Sequence, residues 1–110
     1  MKIPTLPFTV TDWATVPETT HAGDVGQALW RTQEIGDLRV RMVTYSPGYI
    51  ADHWCDRGHV LTVLEGVLET ELRDGRRFTL TAGMSYRVSD HGDAAHRSST
   101  ATGARLFIVD

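Results

Sequence analysis

Three side chains that can bind a transition metal lie inside the stretch 53–59 of the sequence: His53, Cys55 and His59. In an extended strand successive side chains alternate between two faces, so His53 and Cys55 would point one way and Trp54 the other. Imidazole nitrogen and thiolate sulfur suit borderline ions such as Zn²⁺, Fe²⁺, Ni²⁺ or Cu. This stretch therefore predicts a metal site.

The same residues also have a purely structural interpretation, which stays open at this point. A buried free cysteine often serves as a small apolar side chain. Histidines can be packed or hydrogen-bonded in an interior that holds no metal. The neighbouring Asp52 and Asp56 are expected to be solvated carboxylates at the surface or in a turn.

The segments around these residues have the sequence pattern of β-strands. Short runs rich in Val, Leu, Thr, Tyr and Phe are separated by Gly, Asp and Pro, which is typical of strands joined by turns. Asp74-Gly75 is a strong signal for a two-residue hairpin. The predicted strands are 27–35, 38–45, 49–55, 59–64, 67–73, 76–80, 84–88, 96–100 and 104–109. About nine short strands indicate an all-β sandwich or barrel.

The strand predicted at 38–45 alternates apolar and polar residues, with Leu38, Val40 and Met42 on one face. Most of the arginines in the predicted strands are expected to point to solvent, whereas an arginine that points inward could bind an anionic substrate. These arginines are Arg39, Arg41, Arg87 and Arg97.

The bulk properties describe one globular domain without a nucleic-acid or membrane partner. The 110 residues are enough for one core. The net charge of -3 comes from intermixed signs, and no apolar stretch approaches the ~20 residues that span a bilayer. Cys55 is the only cysteine, which excludes an intramolecular disulfide. We expect a cytoplasmic protein with a single domain over residues 1–110, in which 1–25 form an arm and loops and 26–110 form a barrel.

The spacing of the metal-binding residues is similar to the first motif of small cupins, G-x5-H-x-H-x3,4-E-x6-G. Gly66 lies seven positions after His59, which takes the place of the motif's Glu. His53 and Cys55 take the places of its two histidines, and Gly48 lies one residue closer to His53 than the leading glycine of the motif. The segment thus has H-x-C-x3-H where the motif has H-x-H-x3-E.

The segment that begins at Gly83 resembles the second cupin motif, whose ligand histidine would fall near position 94, between His91 and His96. His96 opens a strand-like segment, as the histidine of the motif does, whereas His91 lies among residues typical of a loop. The resemblance therefore favours His96. Over its whole length the chain is also similar to the small cupins named for a DHCW motif, which appears here as DHWC at positions 52–55.

The resemblance implies an all-β double-stranded β-helix, the jelly-roll barrel of cupins, with an N-terminal arm. It implies that the turn at 56–58 brings His59 to the cavity that His53 faces, and that His96 arrives from a third strand. The implied metal ligands are His53, Cys55, His59 and His96. A histidine–cysteine set, without the carboxylate of non-haem iron oxygenases, favours Zn²⁺ over Fe, Ni or Mn.

A small cupin of this kind is expected to bind a divalent transition metal in the barrel and a small organic ligand above it. If it is an enzyme, the expected classes are isomerase, hydrolase-like and dioxygenase-type reactions, and the sequence does not choose between them. The alternative is a non-catalytic binding or structural barrel, either metal-free or with a closed four-ligand Zn site. The resemblance and the problem of exposed sheet edges together predict a homodimer.

Overall fold

Eight β-strands and one short 3-10 turn make up the regular structure of the computed structural model, which describes residue 3 and residues 5–110. The 3-10 turn covers Trp13–Thr15. The strands are β1 Glu18–Ala22, β2 Gln27–Ile35, β3 Leu38–Tyr45, β4 His59–Leu72, β5 Arg77–Thr81, β6 Ser85–Val88, β7 His96–Ser99 and β8 Ala104–Val109. None of the described residues form a helix that could span a membrane.

The 14-residue strand β4 takes part in both sheets of the molecule. Its first half pairs with β6 and β8, and this sheet continues through β3 and β2 to β1. Its second half pairs with β5 and β7, and all of these pairings are antiparallel. The change of sheet follows a bulge between Val63 and Glu65, beside Gly66, whose φ of 79° suits glycine. Because a bulge bends its strand, β4 can pass from one sheet to the other without a break.

The side chains between the two sheets form one apolar core. The most deeply buried are Val43, Leu61, Val63, Leu68 and Leu106. Burial of each such side chain contributes about 1.5–3 kcal/mol relative to an exposed one. Other inward positions of the same strands carry histidine, arginine and tyrosine instead, and these form the candidate site.

The all-β fold class predicted from the sequence is confirmed. Three predicted strands have the observed bounds, namely 27–35, 38–45 and 104–109. The two strands predicted at 59–64 and 67–73 are a single strand. They are continuous because Gly66 allows the backbone to bend at the bulge while the pairing with β8 continues.

Two predicted segments differ from the structure. The segment 1–25, predicted to hold an arm and loops, contains strand β1, which pairs along β2. The predicted strand at 49–55 is not regular, because it runs beside β7 only through isolated bridges, Ile50 to Ser99 and Cys55 to His96. The bridge between Cys55 and His96 sets these two residues directly opposite each other.

Candidate functional site

Two histidines and a tyrosine meet inside the barrel. His59 is the first residue of β4 and His96 is the first residue of β7, and their ring centroids are 4.7 Å apart. Tyr86 of β6 lies beside both rings, with its Oη hydrogen-bonded to His59 Nε2 at 2.7 Å and its ring centroid 6.0 Å from that of His96. The fold thus brings two of the four predicted metal ligands together.

Burial keeps both imidazoles neutral near pH 7. It lowers the pKa of His59 to about 4, with the charge of a protonated His96 as the second cause, and it also lowers the pKa of His96. Burial raises the pKa of the Tyr86 hydroxyl, which therefore stays protonated. His96 Nε2 is buried and has no hydrogen-bond partner among the described residues. A neutral imidazole nitrogen of this kind can bind a metal or share a hydrogen bond.

Cys55 lies opposite His96 on the neighbouring segment. Cys55 N donates to His96 O, and His96 N donates to Cys55 O, both at 2.8 Å. In such a hydrogen-bonded pair the two side chains project to the same face, with their Cβ atoms about 5 Å apart. The half-buried thiol of Cys55 is therefore a third potential donor beside the two imidazoles.

His53 is at the edge of this group. Its side chain is 71% exposed, and its Nδ1 lies 2.6 Å from Asp52 Oδ1, a hydrogen bond that lowers the pKa of Asp52. Across residue 3 and residues 5–110, no group of three or more His, Cys, Asp or Glu side chains is placed so that it could hold a metal ion. The four-residue ligand set of His53, Cys55, His59 and His96 stays a prediction.

The two candidates for the second-motif histidine lie in different surroundings. His91 is in an exposed loop with a φ of 52°, and its Nδ1 lies 2.9 Å from Asp56 Oδ2. The side chain of Asp56 is 59% exposed. His96, by contrast, is buried between the sheets.

A buried ion-pair cluster forms another wall of the site. Arg39 donates to both carboxylate oxygens of Asp110, at 3.0 and 2.9 Å, and Arg41 Nη2 donates to Oδ2 at 3.0 Å. The side chains of Arg41 and Asp110 are only 7% and 2% exposed. Burial by itself raises the pKa of the Asp110 carboxyl, but the hydrogen bond from Arg39 and the charge of Arg41 outweigh it, so the pKa is lowered. Asp110 is therefore ionised in the folded protein.

The two arginines of β3, Arg39 and Arg41, point inward, whereas the sequence predicted that most of the strand arginines would point to solvent. Arg41 is buried, and the apolar residues Val40 and Met42 lie half-buried on the opposite face. That face is partly covered by the N-terminal segment, because Trp13 and Met42 line the same cleft and Trp13 packs edge-on against Phe107 at 6.4 Å between ring centroids. Both faces of β3 are thus covered, one by apolar contacts and the other by the site.

A cavity of about 130 Å³, which we name the inner cavity, lies among these groups. Its lining includes all four predicted ligands and both β3 arginines. Three aromatic side chains, Trp30, Tyr45 and Tyr49, complete much of the wall, and the two tyrosine rings stack with centroids 4.2 Å apart. Sites for drug-sized molecules usually measure about 300–1,000 Å³, so the inner cavity suits a smaller ligand.

A second cavity of about 340 Å³ shares His96 with the inner cavity. Its lining is mostly apolar and includes Phe78, Leu80, Met84 and Tyr86. Phe78 and Met84 are about half exposed, at 49% and 46%, so this cavity opens to solvent. We name it the outer cavity.

Comparison with solved structures identifies this architecture. An RmlC-like cupin from Shewanella frigidimarina matches with a TM-score of 0.70 and 20% identity, over 94% of this chain and 89% of that chain. The chain has the cupin fold. The polyketide cyclase RemF from Streptomyces resistomycificus matches this chain with a TM-score of 0.76 and 18% identity, over 94% and 78% of the two chains. A sugar phosphate isomerase of the cupin superfamily from Silicibacter pomeroyi matches with a TM-score of 0.72 and 15% identity, over 92% and 74%.

The cupin fold confirms the jelly-roll architecture that the motif spacing implied. No protein-family model matches the sequence, and neither does any curated protein. The narrower resemblance to DHCW-motif cupins stays a prediction.

Asp110 is a residue of this candidate site that the motif comparison missed. Leu106, Ile108 and Asp110 follow one another at every second position, and the first two are buried in the core. Alternation along β8 therefore carries the signal that Asp110 faces inward. The same alternation along β3 shows that Arg41 faces inward only when Val43 is already known to be a core residue.

The metal-free protein should lose stability as the pH falls from 6.5 towards 4. The pKa of His59 is about 4 in the folded barrel against an ordinary value of 6.5, so the unfolded chain binds more protons in this window and gains stability relative to the barrel. With allowance for partial exposure, His59 should account for about 2 kcal/mol between about pH 7 and pH 4.5. Urea unfolding in EDTA across this range measures the effect. In His59→Gln that part of the pH dependence should disappear, and an unchanged profile in the variant would contradict the assignment.

Proposed function

We propose that this cupin binds a divalent transition metal, with Zn²⁺ favoured, on His59 and His96 and holds a small organic ligand beside it in the inner cavity. The observation that carries the proposal is the pair of neutral imidazoles, one half-buried and one buried, with His96 Nε2 lacking a partner among the described residues. A buried polar group left without a partner costs about 1–3 kcal/mol. A ligand atom or a metal ion at this nitrogen would remove that cost.

Cys55 is the third residue that would hold the ion, once its thiol and the two imidazoles move closer together than in the structure, where no three such side chains among the described residues are placed to hold a metal. Two imidazole nitrogens and one thiolate are a donor set that Zn²⁺ accepts readily, and Fe, Ni or Mn are weaker candidates. Three protein ligands would leave one position open for a ligand, as in catalytic zinc sites. When bound, a divalent ion supplies Lewis-acid chemistry, in which it polarises a carbonyl group or activates a water molecule.

Tyr86 supports this chemistry by holding the His59 ring in place. The raised pKa keeps the hydroxyl protonated, and its Oη already contacts His59. Because Tyr86 lines the outer cavity, its role is to orient His59: when His59 Nε2–H donates to Tyr86 Oη, His59 Nδ1 is left to bind the ion. The stacked rings of Tyr45 and Tyr49 form an aromatic part of the wall of the inner cavity.

Isomerase-type chemistry fits the site better than dioxygenase chemistry. Non-haem iron oxygenases use two histidines and one carboxylate as ligands, whereas His59 stands where the cupin motif has Glu. Asp110, the carboxylate that lines the inner cavity, is held by Arg39 and Arg41. The two structural neighbours named as a polyketide cyclase and a sugar phosphate isomerase are consistent with a non-oxidative reaction.

A closed four-ligand zinc site would instead make the barrel structural. That alternative requires His53 as the fourth ligand. The exposure of His53 and its hydrogen bond with Asp52 favour the three-ligand arrangement.

Metal analysis of protein purified without a His tag tests the proposal. We expect about one Zn²⁺ per wild-type chain after loading, and a loss of affinity of more than about 100-fold in His59→Ala and in His96→Ala. Isothermal titration and elemental analysis provide independent readouts. Each variant is first checked for cooperative unfolding, so that lost affinity is separated from lost structure.

His53→Ala is the matched control, because it removes an imidazole that lines the same cavity but is mostly exposed. Its zinc affinity should stay close to that of the wild type. Less than about 0.2 metal per wild-type chain after loading with Zn, Fe, Ni and Mn in turn would overturn the metal site. A large loss of affinity in His53→Ala would restore the four-ligand alternative.

The predicted homodimer and the cytoplasmic location stay part of the proposal. Several apolar side chains of the N-terminal segment are unusually exposed, with Phe8 at 97% and Val10 at 80%. Exposed apolar surface of this kind is often covered by a protein partner. Analytical ultracentrifugation of the purified protein measures whether a second copy provides that cover.

A further inference from the structure

We propose that the inner cavity recognises a small carboxylate and that Arg41 is the residue that binds it. This inference rests on the ligand cavity of the proposed function and names the class of ligand that the cavity takes. It does not require a metal on His59 and His96.

Arg41 is a buried cation with unused hydrogen-bonding capacity. Its side chain is 7% exposed and lines the inner cavity. The guanidinium group has five N–H donors, but the structure describes one hydrogen bond from it, Nη2 to Asp110 Oδ2. Its Nε is buried and has no partner among the described residues. Because buried polar groups are nearly always paired in native proteins, the missing partner points to a bound acceptor.

The side-chain charges around Arg41 are not balanced. Arg39 and Arg41 both face the side-chain carboxylate of Asp110, with N–O distances of 2.9 and 3.0 Å, and the half-exposed Arg57 lies 3.9 Å from it. Arg39 already donates to both oxygens of that carboxylate, so Arg41 shares an oxygen that is in use. Burial lowers the pKa of Arg41 in spite of the nearby Asp110. A second carboxylate beside Arg41 would compensate for the solvation that this cation has lost.

The ring of Trp30 holds the guanidinium group in place. Arg41 Cζ lies 4.4 Å from the Trp30 ring centroid, and the ring of His21 stacks on Trp30 at 3.7 Å between centroids. A stacked guanidinium keeps its N–H groups directed in its own plane, and a planar carboxylate can accept two of them at once. Little side-chain freedom is then lost when the ligand binds.

The remaining features of the inner cavity favour a small acid. Its volume of about 130 Å³ admits only a small molecule. Burial raises the pKa of the Tyr45 hydroxyl, which stays protonated and so offers another hydrogen-bond donor. Arg39, Arg41 and Tyr45 thus present donors to the cavity, and donors select an anionic or oxygen-rich ligand over an amine.

Acetate is the probe for the test, and acetamide is its neutral counterpart of the same shape. The full chain, labelled with ¹⁵N and freed of metal with EDTA, is titrated at constant ionic strength while the arginine Nε–H signals are recorded by NMR. We expect the Arg41 signal, assigned by its absence in Arg41→Lys, to shift saturably with acetate and to stay in place with acetamide. The melting temperature should rise with acetate in parallel.

Arg41→Lys keeps the charge but removes the planar fork, so acetate should bind at least about tenfold more weakly. Arg105→Lys is the matched control, because Arg105 forms an exposed pair with Glu65 at 2.8 Å and should leave acetate affinity unchanged. If Arg41→Lys does not fold, the wild-type titration decides the question by itself, with the signal assigned through bonds.

If the Arg41 signal shows no saturable shift up to about 100 mM acetate, any Kd is very weak and the inference is overturned. An equal shift with acetamide would do the same, and a stronger response to inorganic phosphate would replace the carboxylate by a tetrahedral anion. The two proposals fail separately. Zinc binding without an acetate response would contradict only the carboxylate subsite, and an acetate response without zinc binding would contradict only the metal site.

Discussion

Replacement of Gly66 by alanine should lower the free energy of unfolding by about 3 kcal/mol or more. Gly66 has a φ of 79°, and a Cβ atom added there would overlap Gly103 O and lie 3.0 Å from Ala104 Cα. Both are backbone atoms of the neighbouring segment 103–104, and backbone atoms cannot rotate away as the end of a side chain can. The substitution would therefore force the bulge of β4 and its pairing with β8 to shift. Urea or guanidinium unfolding followed by circular dichroism gives the measurement.

Gly75→Ala is the matched control for this substitution. Gly75 also has a positive φ, of 100°, but an added Cβ would meet no heavy atom within 4 Å. Only the backbone strain remains, which costs about 1–2 kcal/mol. Equal losses of stability in the two variants would show that steric overlap at Gly66 has no role.

Asp110→Asn should destabilise the barrel by about 3 kcal/mol, because it leaves two inward-facing arginines without a counter-charge. The Asp110 side chain is 2% exposed and accepts hydrogen bonds from Arg39 and Arg41. An asparagine keeps the shape but removes the charge, and its amide group would face N–H donors. Chemical unfolding at neutral pH and moderate salt measures the change.

Glu65→Gln tests whether the loss of stability expected for Asp110→Asn arises from the burial of its ion pair. Glu65 and Arg105 form an ion pair at 2.8 Å, with side chains 65% and 45% exposed. An exposed pair of this type contributes only about 0–1 kcal/mol. A loss in Glu65→Gln as large as that in Asp110→Asn would contradict the assignment of Asp110 to a buried, structurally required ion pair.

Local sequence signals predicted most of the strands but not the way in which β4 continues. Period-two alternation and turn residues are local properties, and they gave the bounds of β2, β3 and β8 directly. Gly66 has the same sequence appearance as a turn glycine. Whether it ends a strand or bends it depends on β8, which pairs with β4 on both sides of the bulge. Strand β1 escaped notice because its mostly exposed side chains leave no apolar alternation.

The site residues that follow from motif spacing in the sequence could be predicted. Those that depend on how the strands close into a barrel could not. The motif spacing pointed to His59 and His96, which the fold sets side by side. The inward direction of Arg41 could not be read from β3, because Met42 on the other face is also half-buried. The apolar face of a strand indicates the core only when its opposite face meets solvent.

The pairing of β4 has a consequence for the order of folding. All four of its partner strands, β5, β6, β7 and β8, follow it in the chain. Contacts of this long range form slowly, because the intervening loops must close first. His59 therefore meets His96 only when β7 has paired with β4, and Arg41 meets Asp110 only when β8 has paired with β3. The capacity to bind a ligand should accordingly appear with the slowest phase of refolding, and until then β4 exposes unpaired edges that can associate with other chains.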